Sequence, residues 1–116
     1  MAKLAVAKKV GIPVPTQMPA DVTHLVAYYG APGFTPSYSQ TARIATPIAD
    51  VPKQVKDGVN YFVFDTTAIP AQAADSVDVY FTLADNNDSE EGDFSPVIAV
   101  PFDRTPPVKL AAPIIL

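Results

Sequence analysis

The sequence predicts an all-β, antiparallel fold, closed as a sandwich or a barrel. Three observations carry this. No segment of the 116 residues repeats its apolar positions with a helical period. Several short runs alternate apolar and polar residues, as strands with one buried face do. Thirteen prolines and five glycines punctuate those runs, and punctuation at such intervals belongs to turns between short strands.

Taken in order, residues 3–10 (KLAVAKKV) are expected as a short strand with Leu4 and Val6 on one face. Pro13, Pro15 and Pro19 forbid helix and central strand, so Gly11 to Pro19 is expected as an extended connector. Residues 22–29 (VTHLVAYY) read as a strand with Leu25, Ala27 and Tyr29 on one face and His24, Val26 and Tyr28 on the other. Both faces are substantially apolar, which implies a cover over the outer one. Gly30 to Gln40 is turn-rich. Ala42 to Ile48 is a short strand stopped or placed at an edge by Pro47.

Asp50 to Asn60 is polar and carries an Asp57-Gly58 turn signal. Residues 61–67 (YFVFDTT) form the next strand. Phe62 and Phe64 are expected inward, with the Tyr61/Val63 face as the alternative. From Asp75 to Phe102 the chain reads as a long hairpin. Val77, Val79, Phe81 and Leu83 alternate with Asp78, Tyr80, Thr82 and Ala84; an acidic loop follows, then a second apolar run, Val97 to Val100. Residues 103–116 are a Pro-rich tail ending in Ile114, Ile115 and Leu116. The expected organisation is an arm and first strand over 1–21, a body over 22–102 and a tail over 103–116.

Composition bounds the role. Apolar residues are 48% of the chain and charged ones 17%, enough for a small core in one domain. Cysteine is absent, so packing and backbone pairing alone hold the fold. A net charge of −4 argues against nucleic-acid or anionic-membrane binding. Lys3, Lys8 and Lys9 make the amino end basic, whereas Asp85, Asp88, Glu90, Glu91 and Asp93 make one loop acidic. These are solvated ends, or the two halves of a head-to-tail contact. The early lysines interrupt any secretory apolar run, and no run reaches membrane-spanning length, so synthesis in a cytoplasm is expected.

Catalytic signals are sparse. His24 is the single histidine, and one histidine without cysteine makes zinc or copper sites and Ser-His-Asp or Cys-His catalysis hard to build. Asp85, Asn87 and Ser89 alternate oxygen ligands as a calcium loop begins. Yet the glycine falls at Gly92, and no glutamate closes the loop at its twelfth position. A solvated hairpin loop is the plainer reading. Asn87-Asp88-Ser89 matches a glycosylation acceptor; with no secretory leader expected, the match is read as coincidence. Glu90 and Glu91 are adjacent in a loop with no implied cleft, so a glycosidase pair has little support. No cofactor, metal or reaction is expected.

Three stretches carry a family resemblance. VTHLVAYYG, YFVFDTTAIP and VDVYFTLADNNDSEEGDFSP resemble strand C, strand E with its apolar-Pro corner, and the F strand, loop and G entry of a fibronectin type III domain. The resemblance spans about residues 22–107. It implies an immunoglobulin-like sandwich of about six or seven strands with extended terminal arms. Val77 stands where the family has its corner tyrosine. Only about twenty residues precede strand C, so KLAVAKKV supplies B and strand A has no source upstream. PPVKLAAPIIL is the candidate, folding back on its own domain or completing a neighbour by strand addition.

The expected function is therefore association. Modules of this kind resemble decoration or cement proteins of phage capsids and tails. That resemblance implies a location in the virion, after synthesis in the host cytoplasm, and partners that are protein subunits or further copies of the chain. Val26, Tyr28 and Tyr80 are expected to face a neighbour, with Phe34 and Tyr38 beside them and with Leu110, Ile114, Ile115 and Leu116 on the tail. The alternative is a carbohydrate-binding or adhesion module using Tyr28, Phe34 and Tyr38.

Overall fold

Two antiparallel sheets face each other across one apolar core. The computed structural model describes residues 5, 9–85, 87–102 and 111–115. The first sheet has three strands: β1 (Lys9–Pro13) and β4 (Lys53–Lys56) flank β5 (Val59–Asp65). The second is centred on β2 (Val22–Gly30) and β6 (Ser76–Asp85). Beside β2 lies β3 (Arg43–Pro47). Beside β6 lie the two-residue β7 (Glu90–Glu91) and β8 (Ile98–Pro101). Among the described residues the only helical turns are 3-10 turns at Ile48–Asp50 and Thr66–Ala68. No helix there is long and apolar enough to cross a membrane.

Alternation explains the core. Leu25 and Ala27 from β2, Val77, Val79 and Phe81 from β6, Val100 from β8, and Phe62 and Phe64 from β5 are all buried in one cluster. Phe64 meets Phe81 edge to face across the two sheets, ring centroids 5.3 Å apart, a favoured aromatic geometry. Phe62 and Phe64 thus point inward, while Tyr29 packs half-buried against the same cluster. Ile69, from the apolar-Pro corner, closes one end at 3% exposure.

Three expectations need correction. The first strand runs into residues expected as a connector, because β1 extends through Gly11, Ile12 and Pro13. The amide of Val14 donates to the carbonyl of Asn60 at 2.9 Å. Since ladder bonds alternate, Pro13 turns its nitrogen to the open edge, where a missing donor costs nothing. Leu4 and Val6 lie outside the described residues. Second, the polar stretch 50–60 holds a strand, β4, paired Lys56↔Val59 through a two-residue turn. Asp57 (φ 51°) and Gly58 (φ 78°) both take the left-handed conformation of that turn. Every side chain of β4 is exposed, so no apolar period announces it. Third, the long hairpin is interrupted. β6 pairs with Glu90–Glu91 and again with Ile98–Pro101; residues 92–97 between them form no strand and stay tied to β6 only where the Gly92 and Ser95 amides donate to the Leu83 and Phe81 carbonyls at 2.9 and 2.8 Å.

Candidate functional site

The outer face of the larger sheet carries a second, smaller core and a polar network. Register builds it: Arg43 of β3 lies opposite Tyr28 of β2, which lies opposite Tyr80 of β6. One step along, Ala45, Val26 and Thr82 form the next row. On the far side Glu91 of β7 pairs with Ala84. Strand alternation therefore sends all of these to one face.

Two loops close over that face. Residues 92–97, where the hairpin leaves its ladder, lay Phe94 edge to face on Tyr28, centroids 5.0 Å apart. The loop after β2 turns at Gly33 (φ 83°), whose amide donates to Asp78 Oδ2 at 2.8 Å. It presses Phe34 over Gly30 and edge to face on Tyr80 at 5.5 Å. Farther along, Tyr38 stacks on Phe94 at 4.6 Å and donates its hydroxyl to the Gly92 carbonyl at 2.9 Å.

A guanidinium ties the loops to the sheet. Arg43 donates to both oxygens of Asp88, at 2.9 and 2.5 Å, and to Glu91 Oε1 at 2.7 Å. Its Nε donates to the Tyr28 hydroxyl at 3.0 Å. That hydroxyl in turn donates to Glu91 Oε2, which also accepts from Thr82 Oγ1 at 2.7 Å. Asp88 reaches this position because Asn87 (φ 54°) and Asp88 (φ 67°) both turn left-handed. The Asp88 amide donates to Thr23 Oγ1 at 3.3 Å. Planar, charge-assisted pairs of this kind are strong and directional.

The network sets the ionisation of its members. Burial pushes the Glu91 carboxyl up, but hydrogen bonds from Tyr28, Thr82 and Arg43, with the charge of Arg43, hold it below the ordinary carboxylate range. Hydrogen bonds from Arg43 lower Asp88 against its own desolvation. Burial and the bond to Glu91 raise the Tyr28 phenol to about 12. Arg43 is raised, chiefly by Asp88. All four hold their neutral-pH charge states: one cation, two anions and a neutral phenol.

The structure redistributes the expected contact residues. The alternation in β2 points Val26 and Tyr28 at a neighbour, yet both are fully buried at 0% exposure, sealed by this chain's own loops and Arg43. Tyr80 does stand across from Tyr28, but it is half-buried under Phe34 and Phe94. Phe34 is half-buried, and Tyr38 remains 50% exposed. Ile114 and Ile115 are 79% and 100% exposed and belong to no strand. Leu110 and Leu116 lie outside the described residues. Of this loop, Asp88, the residue between the calcium-loop candidates Asn87 and Ser89, joins the network. Among the described residues no group of three or more His, Asp or Glu side chains is placed to hold a metal ion. His24 sits on the same strand face with Nδ1 2.9 Å from Thr23 Oγ1.

Sequence reading missed Arg43, Phe94 and the joint role of Asp88 and Glu91. One signal was available. Val26 and Tyr28 on an outer face demanded a cover, and Phe94 is the apolar residue nearest the acidic loop that follows β6. Beside Tyr38, residues Arg43, Asp88, Ser89 and Glu91 line a shallow cleft of about 470 Å³. Compared with protein families, curated proteins and solved structures, the chain matches none.

Proposed function

We propose that this chain is a non-enzymatic structural module of immunoglobulin or fibronectin III kind that works by protein–protein association, as a decoration or cement subunit of a phage capsid or tail. The strand order supports the finer fold reading. β3-β2-β6 with β7 and β8 facing β1-β5-β4 parallels the C′-C-F-G and B-E-D sheets of such sandwiches, with no strand A among the described residues.

The single observation that carries the functional reading is the apolar arm. Ile114 and Ile115 stand in water at 79% and 100% exposure. Burying an isoleucine side chain contributes about 1.5–3 kcal/mol, so docking this pair on a neighbour supplies about 3–6 kcal/mol before ordering costs. The outer sheet face does not supply the contact, since its apolar residues are consumed within the chain. Among the described residues no strand pairs with the outer edge of β1, where strand A would lie, and that edge is a natural receiver for such an arm by strand addition.

The test is composition of purified particles. The chain is expected in virions banded from its native host, and a variant lacking residues 111–116 is expected to be lost from them while folding as before. A chain absent from purified particles, and monomeric at high micromolar concentration, overturns the reading.

A further inference from the structure

We propose that the cleft beside Tyr38 is a binding site for a neutral saccharide. This goes beyond the assembly reading and does not depend on it.

The first support is the Tyr38 ring. One of its faces is stacked on Phe94 at 4.6 Å and its hydroxyl is pinned to the Gly92 carbonyl, yet half of the residue remains in contact with solvent. An aromatic ring held by Phe94 on one face and by the Tyr28 ring at 6.3 Å, yet half exposed, has already lost rotamer freedom. A ligand that stacks on it therefore costs little further ordering. Sugar rings present a flat face of C–H groups suited to that surface.

Hydroxyl recognition is the second support. Arg43, Asp88 and Glu91 line the same cleft and hold one another in fixed planes. A carboxylate offers about four lone-pair sites. Asp88 uses two of them on Arg43; Glu91 uses three, on Arg43, Tyr28 and Thr82. Acceptor capacity thus remains on both, aimed by a network that need not reorganise. Side-chain exposures of 22% for Asp88 and 11% for Glu91 leave them reachable from the cleft.

Charge selects among ligands. Two carboxylates against one guanidinium leave the cleft with a net charge of −1, which disfavours phosphates, acidic sugars and nucleic acid. A cationic side chain is disfavoured differently. Arg43 already occupies the position between the carboxylates, at 2.5 and 2.7 Å, and would repel a second cation. A neutral polyol with an apolar face meets neither penalty.

Affinity gel electrophoresis of the whole chain through dextran, laminarin, mannan, galactan and xylan tests the proposal. Retardation is expected in at least one of these gels. It should weaken about tenfold in Tyr38→Ala, the scale of one lost stacking contact, and severalfold in Asp88→Asn. Tyr38→Phe should keep most of the binding, because stacking on Phe94 still fixes the ring and the hydroxyl serves Gly92 and not the ligand. Binding should also survive about 0.5 M sodium chloride, which screens exposed charge pairs. No retardation in any gel overturns the proposal. So does retardation that Tyr38→Ala and Asp88→Asn leave unchanged. Binding abolished by salt overturns it in favour of a charged peptide ligand.

Discussion

Replacing Arg43 with methionine keeps the length of the side chain and removes its charge and all of its donors. In the parent, Arg43 makes three hydrogen bonds to two carboxylates and one to the Tyr28 hydroxyl, and its guanidinium carbon lies 5.6 Å from the Tyr28 ring centre. A fully exposed pair would contribute about 0–1 kcal/mol, whereas orphaning a deeply buried charge costs about 3–5 kcal/mol. Arg43 and Asp88 are 21% and 22% exposed and Glu91 11%, so the site lies between these limits and nearer the second. The expected loss is about 3 kcal/mol at neutral pH. The chain has no tryptophan, so urea unfolding is best followed by far-UV circular dichroism and tyrosine fluorescence together.

The pH dependence separates this account from lost packing. Glu91 and Asp88 have folded pKa values below their unfolded ones. Their contribution is therefore complete above the unfolded carboxylate range near pH 4 and is lost as pH falls through the lower folded values. Without Arg43 only the hydrogen bonds from Tyr28 and Thr82 are left to oppose burial, so the Glu91 carboxyl rises from its value in the parent. The variant then gains on the parent as acid protonates that group. The gap of about 3 kcal/mol should close to under about 1 kcal/mol near pH 3. A gap below about 0.5 kcal/mol at pH 7, or one that does not change with pH, would refute the reasoning.

Three further outcomes follow from the same geometry. The Tyr28 phenol should titrate at about 12. Its folded pKa is raised, so its contribution is complete below pH 10 and is lost as pH rises through about 12; ultraviolet titration of Tyr28→Phe should lack that late step. Gly30→Ala would put a Cβ 2.6–2.8 Å from the Phe34 ring, forcing that ring off Tyr80 at a cost of about 1–3 kcal/mol in urea unfolding. Phe81→Ala empties the centre of the main core opposite Phe64, and calorimetry should show a loss of about 3–5 kcal/mol.

How far the sequence reached depends on the range of the interaction involved. The strands β2, β5 and β6 were legible because alternation is a local property: burial of one face writes a period of two into consecutive residues. The inward set of Phe62, Phe64, Val77, Val79 and Phe81 follows from it directly. β4 was illegible because both of its faces meet water, so no period is imposed on Lys53–Lys56. β1 was displaced because proline is forbidden only where its nitrogen faces a partner, and edge position is a fact about neighbours. The network at Arg43 was hidden for a similar reason. Arg43 joins Asp88 and Glu91, 45 and 48 residues away in the chain, and no local pattern records that pairing.

An all-β chain, its principal strands and the side of each that faces the core are thus legible locally, since they follow from apolar alternation and turn chemistry within a few residues. Long-range packing settles instead that Val26 and Tyr28 are sealed by this chain's own loops, that Tyr38 stays half exposed, and that the apolar arm at 111–115 lies off the sheets. Those outcomes depend on where two loops come to rest across a sheet. That is fixed by the summed burial, stacking and charge pairing of residues far apart in the chain.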